Sequence, residues 1–424
     1  MLRAKWVVIL LVTWLGAVSI GLRAQTVPST YFGMHMNSGV IAREPWPAVR
    51  FGSDRLWDTS TGWADVNPSP GIYQWAMLDD WLNTAKAHGI TDILYTFGQT
   101  PPWASSKPTD TICFYAPGEC DPPNDLESDG TGTDQHWQSF VTAIATHAAG
   151  RIKYWEIWNE PHNAWYWNGT MPQLVRMAKD AETIIKSIDP NALIVSPSPG
   201  IRSLNAKLWM ANYLAAGGGQ FADIIAFHGY VQGGTFGVYP QAADIVPLIA
   251  TLKQTLQAHG QGTKPIWDTE ASWGRTVADG FTNRDLQAGF LVQFFLLQWS
   301  SGVKRFYWYE YNNTDLGTLW VKNSTNPTAP GTFTKAGIAY QQVNSWMVGA
   351  KLTQPCSQAA DSTWKCVFTR LGGYQAEAVW NASVNKTVTA PTQYHHYRDI
   401  YGNLFNIPTS GAVGIGYKPI LLLQ

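Results

Sequence analysis

The chain has 424 residues, 22 of them tryptophan, and sets 29 basic against 30 acidic side chains, with charged residues only 14% of the total. That length suits one large α/β barrel of roughly 250 residues or more plus an appendage. The sparse, balanced charge, with no basic tract, leaves few cations to displace counterions from a phosphate backbone and so excludes a nucleic-acid partner.

Residues 1–24 read as a secretory leader. Arg3 and Lys5 precede an apolar run from Trp6 to Ile20, and Leu22-Arg23-Ala24 offers a cleavage site before Gln25. The run, about 15 residues, is short for a span of about 20, so the mature form is expected to be secreted or periplasmic, with no membrane contact. Loss of the leader removes three basic residues, leaving 26 against 30 acidic ones, a formal charge of −4.

Strands are expected at 31–36 and 49–57, the second ending Arg55-Leu56-Trp57-Asp58. Trp75, Leu78, Trp81, Leu82 and Ala85 recur at helical spacing before Gly89, and 90–97 forms the third strand. A long loop then holds Cys113 and Cys120. Loops beyond about 15 residues in a compact domain are usually functional or disordered, and a cysteine pair favours the first. A helix over 133–149 leads to the fourth strand, 151–160, whose aromatic run closes on Asn159-Glu160-Pro161. Helices over 172–188, 204–216 and 240–259, the last kinked at Pro247, alternate with strands over 192–198 and 221–230. The seventh strand, 264–270, ends on Glu270. A helix over 284–300, a strand over 304–311 and a helix over 335–347 complete the series.

Eight strands alternating with helices imply a (β/α)8 barrel over 25–349. From residue 350 onward only short alternating strands separated by Gly, Asn and Pro remain, implying a small sandwich-like β domain over 350–424. Four cysteines allow three connectivities. Short closure favours Cys113 with Cys120 and Cys356 with Cys366. Neither pair has the two-to-four-residue ligand spacing of a zinc site, and the chemistry below needs no metal or organic cofactor.

In such barrels the C-terminal strand ends carry the active site, so Arg55, Asn159, Glu160, His228, Tyr230, Glu270 and Trp308 should converge. His228 and Tyr230 stand two apart on a strand and share a face. Two strand-end glutamates among tryptophans suit glycoside cleavage, which needs one protonated carboxyl to donate to the leaving oxygen and one ionised carboxylate to attack the anomeric carbon. Apolar neighbours and the second carboxylate should raise the Glu160 pKa, while donors such as Arg55 and Tyr230 keep Glu270 ionised. Trp103, Trp165, Trp167 and Trp308 are candidate platforms for sugar rings. Glu156 should be a floor residue paired with a buried cation or donor. Glu310 is the alternative nucleophile.

These residues resemble the retaining glycoside hydrolases of clan A, through Asn159-Glu160-Pro161, His228-x-Tyr230 and Glu270. The patterns Arg55-Leu56-Trp57-Asp58, Trp63-Ala-Asp-Val-Asn-Pro, Gly71-Ile-Tyr-Gln-Trp75 and Thr100-Pro101-Pro102-Trp103-Ala104 are most similar to family 39. The resemblance implies Glu160 as acid/base, Glu270 as nucleophile, a hydrogen bond from Asn159 to the sugar 2-hydroxyl, Tyr230 touching the nucleophile, and a carbohydrate substrate. Endo action is expected, with an exo-acting β-xylosidase as the near alternative and a non-catalytic carbohydrate-binding barrel or a cell-surface structural protein as the distant ones.

Overall fold

The computed structural model describes residues 26–37, 39–42, 44–231, 239–278, 280–325, 331–370 and 372–424. The expected leader, residues 1–24, lies outside them. Eight parallel strands, β1 (Phe32–His35), β2 (Ser53–Leu56), β3 (Ile93–Thr96), β4 (Tyr154–Glu156), β5 (Leu193–Val195), β6 (Ile225–His228), β7 (Ile266–Ala271) and β8 (Arg305–Trp308), pair in the order β5-β4-β3-β2-β1-β8-β7-β6. Parallel bridges Val195 to Ile224 and Gly200 to His228 join the two ends, closing the barrel. Each ladder is shorter than its apolar run in the sequence. Past Glu156 the fourth run reaches the mouth with the isolated parallel bridge Asn159 to Ser198 holding it to the segment after β5.

The helices follow their apolar periodicity. Met171–Ile188 is capped by Thr170, whose side chain accepts from the Gln173 amide while Gln173 reaches back to the Thr170 amide at 2.8 Å. Leu174, Met177, Ala178, Ala181 and Ile185 form its buried face. The expected kink at Pro247 is absent because helix Ile245–Ala258 begins two residues earlier. In the first turn a missing N–H costs nothing. The expected bounds 284–300 and 335–347 match Arg284–Ser300 and Lys335–Met347.

The lower barrel is filled by Leu94, Tyr154, Val195, Ile224, Ala226, Trp267 and Tyr307. Arg305 lies among them, 4.6 Å from the Tyr154 ring centroid and 4.1 Å from that of Trp267, and pairs with Asp92. Gly33 is required here, since a Cβ would stand 2.3 Å from the Tyr307 ring. This packed floor leaves the opposite, C-terminal end of the strands as the open face.

After a short antiparallel pair, Trp320–Val321 with Thr332–Phe333, and the helix Lys335–Met347, a run of antiparallel strands starts at Lys351. Six pair in the order Lys351–Gln358, Thr363–Thr369, Gln375–Asn381, Ile420–Leu423, His396–Arg398, Leu404–Asn406, and Lys386–Thr389 pairs with Ala412–Ile415. Val379, Tyr394, Val413, Ile415 and Leu422 fill the space between the two sheets. The β unit rests on helix Arg284–Ser300, where Gln293 donates to the Tyr417 carbonyl at 2.6 Å and Trp299 meets Phe368 edge-on at 5.5 Å. Cys356 bonds Cys366 and Cys113 bonds Cys120, as short closure suggested. Among the described residues no helix is long and apolar enough to cross a membrane.

Candidate active site

Arg55, fully buried on β2, organises the mouth. Its Nε donates to Glu156 Oε2 at 2.7 Å, Nη1 to Glu270 Oε2 at 2.9 Å and Nη2 to Asn159 Oδ1 at 2.8 Å. One guanidinium thereby holds residues from β4, the loop after it and β7 in a single plane of donors. Glu156 also accepts from Thr96 Oγ1 at 2.7 Å and is fully buried, the floor carboxylate expected from its place before Glu160. His35 Nε2 lies 2.8 Å from the Thr269 carbonyl, so that nitrogen carries the proton; its 3.3 Å approach to Arg55 Nη1 is a contact between two donors. Burial, reinforced by the Arg55 charge, holds His35 well below the usual imidazole range and therefore neutral.

Glu270 reaches the mouth through a break in strand register. β6 pairs Phe227 with Asp268 but His228 with Glu270, leaving Thr269 extra, and β7 shifts again against β8 between Asp268 and Ala271. A bulge of this kind re-aims the following side chain. Asp268, two residues away, would otherwise share the face of Glu270. Instead it accepts from the Gly229 amide at 3.0 Å and from Gln298 of the helix Arg284–Ser300. Tyr230 donates from Oη to Glu270 Oε1 at 3.0 Å.

Glu160 adopts φ +42°, a left-handed conformation that costs a non-glycine residue about 1–3 kcal/mol. Its Oε1 pairs with His228 Nδ1 at 2.9 Å and its Oε2 accepts from Asn163 at 3.0 Å. His228 Nε2 is buried without a hydrogen bond among the described residues, 3.9 Å from Glu270 Oε2. Oxygens of Glu160 and Glu270 and a ring nitrogen of His228 all lie within 4.8 Å of one another. Such a trio has the reach to hold a cation. However, both Glu270 oxygens already accept, one from a guanidinium, so the donor set fits a proton relay better than a metal.

The protonation pattern in the free site differs from the sequence expectation. Burial pushes Glu160 up, but the His228 hydrogen bond and charge outweigh it and hold the carboxyl below its usual value. Burial pulls His228 down, and the nearby Glu270 and Glu160 charges more than restore it, leaving its pKa raised. Glu270 is raised because burial exceeds the help from His228 and Arg55. The physical reason is His228: sequence spacing showed that it shared a face with Tyr230, not that its Nδ1 would bond Glu160 and offset the burial of that carboxyl. Glu310 is 2% exposed with one oxygen unpartnered among the described residues; burial, then the Asp58 charge, raises it to about 7. With no counterpart to Arg55 among the described residues, it is the poorer candidate for an ionised nucleophile.

The expected tryptophans divide. Trp308 is fully buried, donates to the Gly317 carbonyl at 2.7 Å and packs against Trp273 and Phe295, so it is a core residue and not a sugar platform. Strand alternation decides this: Phe306 and Trp308 face the helix Arg284–Ser300, while Tyr307 and Tyr309 face inward. Tyr309 occupies the place expected for Trp308, donating to Asp58 Oδ2 at 2.8 Å and meeting His35 edge-on at 5.1 Å. Trp103 is half-buried, donates to the Asn67 carbonyl at 2.8 Å and meets His136 edge-on. Trp167 is buried against Trp158. Trp165 stands at the rim, 48% exposed. Asp58, Tyr115, Asn163, Tyr166 and Tyr309 also line or brace the mouth. Of these, Asp58 was legible as the polar residue after the β2 strand end and Tyr309 as the alternate of Trp308 in the eighth strand run, whereas Tyr115, Tyr166 and Asn163 sit in loops that carry no periodic signal.

No protein-family model matches the chain. It is 28% identical over 127 residues to a β-xylosidase of Caldicellulosiruptor saccharolyticus, a match spanning 26% of this chain and 24% of that protein, so the chain aligns with about a quarter of the relative's length. In structure it resembles a family 39 glycoside hydrolase from Bacteroides cellulosilyticus WH2, with a TM-score of 0.69 and 17% identity over 94% of this chain and 81% of that one. A monomeric β-xylosidase from Caulobacter crescentus CB15 superposes with a TM-score of 0.65 and 15% identity, covering 94% and 97%. The chain thus has the barrel-plus-β fold of clan A glycoside hydrolases, as its motifs implied.

Proposed function

We propose that the protein is a secreted retaining O-glycoside hydrolase acting on an oligosaccharide or polysaccharide, with Glu270 as nucleophile and Glu160 as acid and then base. The supporting observation is the approach of Glu160 and Glu270 oxygens to within 4.8 Å. Retaining enzymes hold their carboxyl groups about 5–5.5 Å apart, whereas inverting ones need about 6.5–9.5 Å to admit a water. Glu270 attacks the anomeric carbon, and Arg55 and Tyr230 keep the attacking carboxylate oriented. The acid proton resides on the Glu160–His228 pair and moves along its 2.9 Å bond to Glu160 as the leaving oxygen approaches. Water then cleaves the glycosyl ester with Glu160 as base. Asn159, its Oδ1 fixed by Arg55, has its Nδ2 available for the sugar 2-hydroxyl. The leader and two disulfides support an extracellular setting.

Exo action is favoured over the expected endo action by one feature. Asp58 accepts from both Tyr115 and Tyr309, tying the loop after β3 and the end of β8 to the end of β2 and walling one side of the mouth. β-Xylosides head the substrate panel because relatives in sequence and structure carry that name.

The test is hydrolysis of aryl glycosides and oligosaccharides by wild type, Glu160→Ala and Glu270→Ala, with azide added. Activity should collapse in both variants, and azide should restore turnover with retained product for Glu160→Ala and inverted product for Glu270→Ala. Wild-type turnover in both variants would overturn the assignment. Release of single sugars from chain ends marks exo action, and a ladder of internal fragments marks endo action.

A further inference from the structure

Phe114 is 63% exposed, Trp165 48% and Tyr115 38%, an unusual concentration of uncovered aromatic surface beside a buried charge cluster. The rings run on from the catalytic acids. Tyr166 is near enough to feel the Glu160 and Glu270 charges, which add to burial in raising its phenol. Phe114 lies 5.4 Å from Tyr166, and Trp165 lies 6.5 Å from it. The direction of the track follows from the chemistry. The acid protonates the leaving oxygen, so the departing portion must stand on the Glu160 side, and Trp165 and Tyr166 belong to the loop that follows Glu160.

This surface is also held rigidly. The Cys113–Cys120 disulfide closes the loop that presents Phe114 and Tyr115. The Phe114 amide donates to the Trp165 carbonyl at 3.0 Å, and the Asn168 amide to the Cys120 carbonyl at 2.7 Å, locking the two loops together. Asn168 Nδ2 adds bonds to Asp110 at 3.0 Å and Asp121 at 3.1 Å. Aromatic faces fixed before binding lose little entropy when a ring stacks on them.

We propose that Tyr166, Phe114 and Trp165 form a preorganised leaving-group track that stacks the second and third sugar rings of the substrate, making this site selective for a glycan chain over a simple glycoside. This rests on the hydrolase reading above, and two measurements separate them. The first is the ratio of kcat/KM on xylo- or gluco-oligosaccharides of two to four rings to kcat/KM on the corresponding aryl glycoside. That ratio should fall about tenfold in Trp165→Ala and Phe114→Ala, largely through KM, and likewise in a Cys113→Ser/Cys120→Ser variant. An unchanged ratio overturns the track.

The second is calorimetric binding of the same oligosaccharides to Glu270→Gln, which needs no turnover. Affinity should rise with each ring up to three and lose that rise when Trp165→Ala is added. Affinity independent of length, or no binding by either series, overturns the track even if hydrolysis is observed. Length-dependent binding in a protein that hydrolyses nothing would uphold the track and overturn the hydrolase reading.

Discussion

Two arginines are buried in the same barrel, at opposite ends, and their surroundings differ in kind. Arg305, at the floor, faces one carboxylate, Asp92, and spreads its charge over the Tyr154 and Trp267 rings. Arg55, at the mouth, serves Glu156, Glu270 and Asn159, with Glu160 and His228 close behind. The floor is balanced and packed. The mouth gathers three carboxylates, Glu156, Glu160 and Glu270, around one guanidinium and one imidazole. A buried charge by itself says little about function; an excess of coupled titratable groups, opening on solvent, says more.

Substitution can break the contrast. Arg55→Met should lower kcat/KM by about 10³-fold, in line with loss of a preorganised donor at a reacting carboxylate. It should also destabilise by about 3–5 kcal/mol, because Glu156 and Glu270 are left buried without their cation. Thermal unfolding and steady-state kinetics on one preparation would check both. Tyr230→Phe removes one hydrogen bond to the Glu270 carboxylate and should reduce kcat/KM about 10- to 100-fold while leaving the melting temperature nearly unchanged. Arg305→Met should do the reverse, lowering the melting temperature and leaving kcat/KM within a few-fold. Loss of activity as large as in Arg55→Met would show that the two ends are not independent.

Smaller effects come from pH. The His228 pKa is raised in the fold, so its contribution is complete below the unfolded value of about 6.5 and fades as pH rises through the folded one. The Glu160 pKa is lowered, so its contribution is present above about 4.3 and fades as pH falls through the folded value. The pair therefore stabilises most between these limits, and His228→Asn should flatten the stability profile on both flanks. Asp54 is a separate case. It is fully buried, both carboxylate oxygens lack a hydrogen-bond partner among the described residues, and burial raises it to about 8. The folded protein keeps it protonated where the unfolded chain ionises it, so stability declines between about pH 4 and pH 8. Asp54→Asn should match wild type near pH 4 and exceed it increasingly toward pH 8 in denaturant titrations.

The sequence alone determined the architecture, because helical and strand periodicities are local properties of the chain. Helices Arg284–Ser300 and Lys335–Met347 fall where their apolar spacing put them, and the disulfides join neighbours as short closure favours. It also placed Glu160 just beyond β4 and Glu270 near the end of β7, each after an aromatic run and before a proline or polar turn. Tertiary structure decided what periodicity cannot express. The Thr269 bulge turned Glu270 into the mouth and Asp268 away from it. Inside-outside alternation on β8 buried Trp308 and presented Tyr309. His228 became the proton partner of Glu160, and the loop after β4 met the disulfide loop to expose Phe114 and Trp165. Each of these depends on which residue of another strand or loop stands opposite, a relation fixed only when the barrel closes.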